Sequence, residues 1–147
     1  MKSPKTDKIN RIIDANINRV KEGLRVCEEI TRFILESRIL TTEFKKTRHE
    51  IDSIIEKLPA KTELIKDRDS LKDVGLNIHL TSEFKRNGYI DIFFANVQRI
   101  KESVRVLEEF SKLKDINLSV RFKKIRYTIY EIEKKAVGKF PALRYPG

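Results

Sequence analysis

"ANINRVKEGLRVCEE" occupies residues 15–29, and "ANVQRIKESVRVLEE" occupies residues 95–109. Nine of the fifteen aligned positions are identical, and the others are mild exchanges such as Ile17/Val97 and Gly23/Ser103. A second pair follows at closely similar spacing: "FKKTRHEI" (44–51) against "FKKIRYTI" (122–129), with five identities in eight. The offset falls from 80 to 78, so the link inside the second copy is two residues shorter. Such self-similarity marks a duplicated structural unit. Apolar residues recur at helical spacing through both copies, and 147 residues hold only five glycines and four prolines. Lys, Glu, Ile, Leu and Arg dominate, a helix-forming palette. The chain is therefore expected to be all-α, a helical hairpin written twice.

The spacing predicts one domain over residues 1–147. Repeat 1 covers about 7–58, a crossover 59–89, repeat 2 90–137, and an irregular tail 138–147. The first helix is expected over about 7–37 with Thr6 as its N-cap. The second is expected over 42–58, with Thr41 as cap and Pro59 as stop. Their counterparts are expected over 90–113 and 118–137. A short helical candidate at 82–86 precedes an Asn87-Gly88 break. Four helices joined by two short links and one long one predict a four-helix bundle with a pseudo-two-fold axis. Loops as long as 59–89 in a compact domain usually carry function.

Composition removes several classes of function. One cysteine, Cys27, excludes an intrachain disulfide and a multi-cysteine zinc site. Cys27 aligns with Leu107, and His49 with Tyr127, so both are expected to pack rather than react. His79 is expected in a loop. The opening "MKSPKTDKINR" lacks the apolar core of a signal peptide, and no apolar run approaches the roughly 20 residues of a membrane span. A cytoplasmic, membrane-free protein is expected. The formal charge of +10 suits anionic ligands, though interleaved Lys and Glu also describe an ordinary solvated helix face.

On a helical wheel centred on Arg19, Ile12, Ala15, Val26, Ile30 and Phe33 fall within about 40°. Asn16 and Gly23 lie near the same stripe, Glu22 and Glu29 on its border, and Arg25 further out. The second copy repeats this with Asn96, Arg99, Ser103, Glu102, Glu109 and Arg105. On the second helix of each hairpin, Arg48 falls among Phe44, Ile51, Ile55 and Leu58, and Arg126 among Phe122, Ile129 and Ala136. Arginines are thus expected to face the bundle interior, which is costly unless they are paired. Two arrangements satisfy them. Arg19 could pair with Glu109, and Arg99 with Glu29, in a sealed network about a close helix crossing at Gly23 and Ser103. Alternatively, the arginines line a cavity and grip phosphate bidentately, with the glutamates holding them in place.

The crossover contains "RDSLKDVG" (68–75). Asp69, Asp73 and Gly75 are ordinary turn residues. They also supply carboxylates for Mg²⁺ and close backbone approach beside a phosphate-binding Arg68. The chain has no phosphate-binding P-loop or dinucleotide fingerprint.

The doubled A-N-x-x-R-x-x-E-x-x-R-V-x-E-E and the R-D-x-x-x-D-V-G between its copies resemble a known family over about 9–135. It is the helical domain often fused in front of thiamine-phosphate synthase and also found alone, regarded as a second, unrelated type of hydroxymethylpyrimidine-phosphate kinase. The resemblance implies ATP-dependent phosphorylation of 4-amino-5-hydroxymethyl-2-methylpyrimidine phosphate to the diphosphate, in a stand-alone form with a functional link to the synthase, and Mg²⁺ is expected with the ATP. The resemblance matches Asn16, Arg19, Glu22, Arg25 and Glu29, their counterparts Asn96, Arg99, Glu102, Arg105 and Glu109, and Arg68, Asp69, Asp73 and Gly75. The chemistry of these side chains leads us to expect catalysis and metal at Asp69 and Asp73, with catalytic Arg19 and Arg99. Asn16, Arg19, Arg25, Arg48, Arg68, Asn96, Arg99, Arg105 and Arg126 are the substrate-binding candidates. Glu22, Glu29, Glu102 and Glu109 support them. Two other classes are weighed beside it: a non-catalytic binding or assembly module of the thiamine pathway, and a basic helical nucleic-acid binder. Interior arginines argue against the latter, because phosphate-backbone contacts need an exposed stripe. The long first helix could also reach beyond the core into a homodimer contact.

Overall fold

The two copies are written into helices along their whole length in the computed structural model, which describes residues 4–58, 61–80 and 86–140. Helix α1 runs Pro4–Glu29, α2 Arg38–Lys57, the short α3 Lys61–Lys66, α4 Tyr89–Ser111 and α5 Ile116–Lys139. All regular structure among the described residues is helical, as expected. Most of the 82–86 candidate and of the tail lies outside the described residues, and α5 takes the tail's first two positions, Gly138 and Lys139.

Helix α1 packs most extensively on α4, each helix on its own hairpin partner, and α2 on α5. Cys27 Sγ lies 3.6 Å from the Phe93 carbonyl oxygen. Gly23 faces Ile100 and Asn96, while Asn16 and Arg19 share a cleft with Arg99, Glu102 and Val106. As numbers rise along α1 they fall along α4, so the two helices are antiparallel. The pseudo-two-fold axis crosses them near Ile100 and its repeat partner Val20, and the two hairpin turns lie at opposite ends of the bundle.

The core takes Ile13, Ile17, Val20, Leu24 and Cys27 from α1, and Phe93, Val97, Ile100, Val104 and Leu107 from α4. Phe44, Ile51 and Ile54 of α2 and Phe122, Ile129 and Ile132 of α5 complete it. Full burial of each large side chain contributes about 1.5–3 kcal/mol. This stripe on α1 is centred about 120° round the helix from Arg19, which corrects the expected orientation. Ile12, Ala15 and Val26 form only a half-buried shoulder, and Phe33 is exposed. Both faces of α1 are apolar enough to be buried. The continuous row of branched side chains on α4 selects the one that interlocks with it.

The two extra residues of the first link are absorbed before α2. The chain widens into a π-helical turn, Ile30–Ile34, and then Glu36 takes a positive φ of 51°. A π-turn is how a helix accepts an inserted residue without losing its bonds. Ser37 Oγ then accepts from Leu40 N and caps α2. Its repeat partner Asp115 caps α5 by accepting from Asn117 N. The α-helical part of the first helix therefore ends at Glu29 and its π-turn at Ile34, rather than at 37, and Thr41 is not the cap. Its hydroxyl meets that of Thr31 at 3.0 Å. At the other end, α1 already begins at Pro4, so Thr6 lies inside it.

Candidate active site

Residues 67–69 of the crossover lie directly on α1. Asn10 Nδ2 donates to Asp67 Oδ2 at 2.7 Å. Arg68 Nε and Nη2 donate to the two oxygens of Asp14 at 2.6 and 2.7 Å. Arg11 Nη2 donates to the Asp69 carbonyl at 3.5 Å. The hydrogen bond and charge of Asp14 raise the pKa of the Arg68 guanidinium above its ordinary value. Beyond this point the chain turns sharply. Asp69 Oδ1 accepts from Lys72 N, and Asp73 Oδ1 accepts from Gly75 N. Each aspartate spends one oxygen on its own turn, so the turn role expected of both is realised.

The turn overhangs a cleft of about 540 Å³. Asn16, Arg19, Arg68, Asp69 and Asp73 all line it, together with Lys8, Arg11, Asp14, Asn18 and Lys72. A second cleft of about 340 Å³ between α1 and α4 is lined by Asn16, Arg19, Arg99 and Glu102. Asn16 and Arg19 belong to both. Asn16 Nδ2 donates to the Ile12 carbonyl one turn back at 2.8 Å, which leaves Oδ1 to accept from Arg19 Nη1 at 3.3 Å. Helical i, i+3 spacing makes that contact. The result is an exposed arginine, held through one terminal nitrogen of its guanidinium and placed where the two clefts meet.

Of the four arginines expected inward, Arg19 and Arg99 are corrected and Arg48 and Arg126 are not, while Arg25 and Arg105, expected further out, do lie outside. Arg19, Arg99, Arg25 and Arg105 are exposed. Arg48 and Arg126 do turn inward, with side chains 19% and 15% exposed. Their partners are Glu28 and Glu108, two carboxylates that were not among the candidates. Arg48 donates to both Glu28 oxygens at 3.1 and 3.4 Å, and Arg25 adds a third contact at 3.3 Å. Arg126 and Arg105 hold Glu108 in the same way. Hydrogen bonds to Glu108 and then Tyr130 push the Arg126 pKa well above its usual value. These clamps tie each hairpin together and lie apart from both clefts.

The proposed Arg19–Glu109 and Arg99–Glu29 pairs do not form. Glu109 lies at the surface beside Lys112 and Arg105, and Lys112 is the main reason its pKa is lowered. Glu22 and Glu29 are exposed. Asn96 is half-buried and donates to the Ile92 carbonyl, as its counterpart Asn16 does to Ile12. Exposure of four motif arginines removes the argument from burial against nucleic acid. Arg25 and Arg105 are nonetheless neutralised by carboxylates, and Arg19 faces the clefts.

Asn10, Asp14, Arg11, Lys8 and the two clamped glutamates were missed from the sequence. One signal was available. Glu28 and Glu108 are as identical between the copies as Glu29 and Glu109, and they lie one helical step nearer the core.

The twofold is broken where the cleft lies. Its axis carries Asn10 and Asp14 onto Ile90 and Phe94. There the ring of Phe140 packs 5.7 Å from Phe94 and 5.1 Å from Phe93. One half of the duplication thus closes with aromatic packing, and the other receives the polar crossover. Cys27 is fully buried, and burial pushes its thiol pKa far up, as befits core filler. His49 and His79 are exposed.

Among the described residues no cluster of three His, Cys, Asp or Glu side chains is arranged to hold a metal. Nor is any described helix long and apolar enough to cross a membrane.

The chain is 38% identical over 130 residues to thiamine-phosphate synthase of Synechocystis sp., covering 88% of this chain and 36% of that protein. Thiamine-phosphate synthases of Nostoc punctiforme and Rhodopirellula baltica are 37% and 36% identical, over 88% and 87% of this chain and 36% and 35% of theirs. The chain therefore spans about a third of the length of these relatives. No solved structure matches it. The ThiD2 family matches residues 11–135, a span that takes in most of both helical repeats and the crossover between them, and the chain belongs to that family.

Proposed function

We propose that this chain is a thiamine-pathway kinase that transfers the γ-phosphoryl group of ATP to 4-amino-5-hydroxymethyl-2-methylpyrimidine phosphate. Its family and its thiamine-phosphate synthase relatives support a place in thiamine biosynthesis. The observation that carries the chemistry is the sharing of Asn16 and Arg19 by two adjoining clefts. Two phosphorylated substrates need adjoining sites and a cation between them.

A phosphate oxygen of the acceptor forms a bond to the γ-phosphorus, and the bond from that phosphorus to the β–γ bridging oxygen breaks. ADP leaves with the electron pair. The acceptor is already ionised, so no strong general base is required. The protein must align the groups and offset their charge. Arg19 stands where both substrates' phosphates would approach. Arg11 and Lys72 add positive charge on the crossover side, and Arg99 on the α4 side.

Mg²⁺ fits the donors present. Asp69 and Asp73 are hard oxygen ligands four residues apart at the cleft, and Mg²⁺ beside phosphates commonly uses one or two carboxylates. When bound, it would neutralise charge between the phosphates.

The test is incubation with ATP, Mg²⁺ and the pyrimidine phosphate, followed by ³¹P NMR. Pyrimidine diphosphate and ADP are expected in equal amounts. Arg19→Ala, with its helical circular dichroism intact, is expected to lose on the order of 100-fold in turnover. Tight binding of the pyrimidine phosphate with no ADP formed would overturn the kinase assignment in favour of a binding module.

A further inference from the structure

We propose that Asp14 is a positioning residue of this site, acting through Arg68 to hold residues 69–73 over Asn16 and Arg19. The proposal rests on assigning the cleft to phosphoryl transfer.

Asp14 and Asn10 are 6% and 4% exposed, on the helix at the centre of the core. Two buried polar side chains need partners, and both find them in the crossover. Asp14 accepts two bonds from Arg68, and Asn10 donates to Asp67. Beyond residue 69 every described residue up to Leu80 is exposed. The turn bonds of Asp69 and Asp73 are internal to the loop. They shape the turn without locating it on the bundle, whereas the contacts of residues 67–69 do locate it.

The duplication provides an internal control. At the twofold-related positions the bundle accommodates Ile90 and Phe94, so nothing in helix packing demands a carboxylate and an amide there. They occur where the crossover lands. Arg68 correspondingly commits Nε and Nη2 to Asp14, so one side of its fork is not offered to phosphate. Its main task is mooring, which revises its place among the substrate ligands.

The test compares Asp14→Ala, Arg68→Ala and the double variant in two assays: phosphate-transfer kinetics, and tryptic cleavage after Lys72 in the native protein. Displacing reacting groups by about 1 Å can cost on the order of 100-fold, so each single variant should lose kcat to that extent with helicity retained. Cleavage at Lys72 should accelerate in both. The double variant should be no worse than Arg68→Ala, because the two residues act as one unit. Wild-type cleavage and kcat in Asp14→Ala would overturn the proposal, as would losses that multiply in the double variant. Arg68 is a surface residue, so Arg68→Ala carries the test if Asp14→Ala fails to fold. If the wild-type protein transfers no phosphate, the functional assignment fails, and the cleavage cycle still decides the mooring.

Discussion

Replacing Gly23 by alanine is expected to destabilise this protein, although the same change inside an exposed helix normally stabilises by roughly 0.8–1 kcal/mol. A Cβ built at Gly23 lies 2.8 Å from Ile100 Cγ1 and 3.4 Å from the Asn96 carbonyl oxygen. Ile100 is fully buried, so it cannot swing into solvent. Relief requires α1 and α4 to separate or Ile100 to leave its rotamer, and overpacking of this kind costs about 1–3 kcal/mol. Set against the gain in helix propensity, the net loss is about 0–2 kcal/mol. Gly138 in α5 is the control, because a Cβ there meets nothing within 4 Å. Gly138→Ala should be neutral to stabilising, by up to about 0.5 kcal/mol so near the helix end. Urea denaturation followed by circular dichroism measures both. A double-mutant cycle with Ile100→Ala adds the specificity. Ile100→Ala alone should cost about 2–5 kcal/mol, and distinctly less in the Gly23→Ala background, where the new methyl fills part of the cavity. Stabilisation by Gly23→Ala, or additive losses in the cycle, would refute a close α1–α4 crossing at this point.

Three further outcomes are expected. Arg126→Ala removes two bonds to the buried Glu108 and should lower stability by roughly 1.5–3 kcal/mol in chemical denaturation; a change under 0.5 kcal/mol would mean that Arg105 alone satisfies the carboxylate. Glu36→Gly relieves a positive φ at an exposed loop position and should stabilise by about 0.5–1 kcal/mol, read as a raised urea midpoint. The Cys27 thiol is buried with its pKa pushed up, so it stays protonated at pH 8 and should resist thiol reagents in the native state yet react fully in urea. Rapid labelling without denaturant would contradict the burial.

The sequence by itself determined the helical class, the duplication, the pseudo-two-fold bundle and the inward turn of Arg48 and Arg126; it offered the close crossing at Gly23 as one of two arrangements. These are legible because a helix repeats every 3.6 residues and each copy checks the other. The rotation of α1 was not legible in the same way. Ile12, Ala15 and Val26 on one side and Ile13, Val20 and Leu24 on the other are both apolar, so periodicity leaves two faces open. Packing against α4 chose the second, which carried Arg19 to the rim, left Glu29 in solvent and brought Glu28 to Arg48. The mooring of the crossover lay further out of reach. Asp14 and Arg68 are 54 positions apart, as are Asn10 and Asp67 by 57. Nothing in local pattern says where a long loop will come to rest. Only the assembled bundle sets those side chains within hydrogen-bonding distance, and that contact decides which half of a symmetric chain receives the crossover and its cleft.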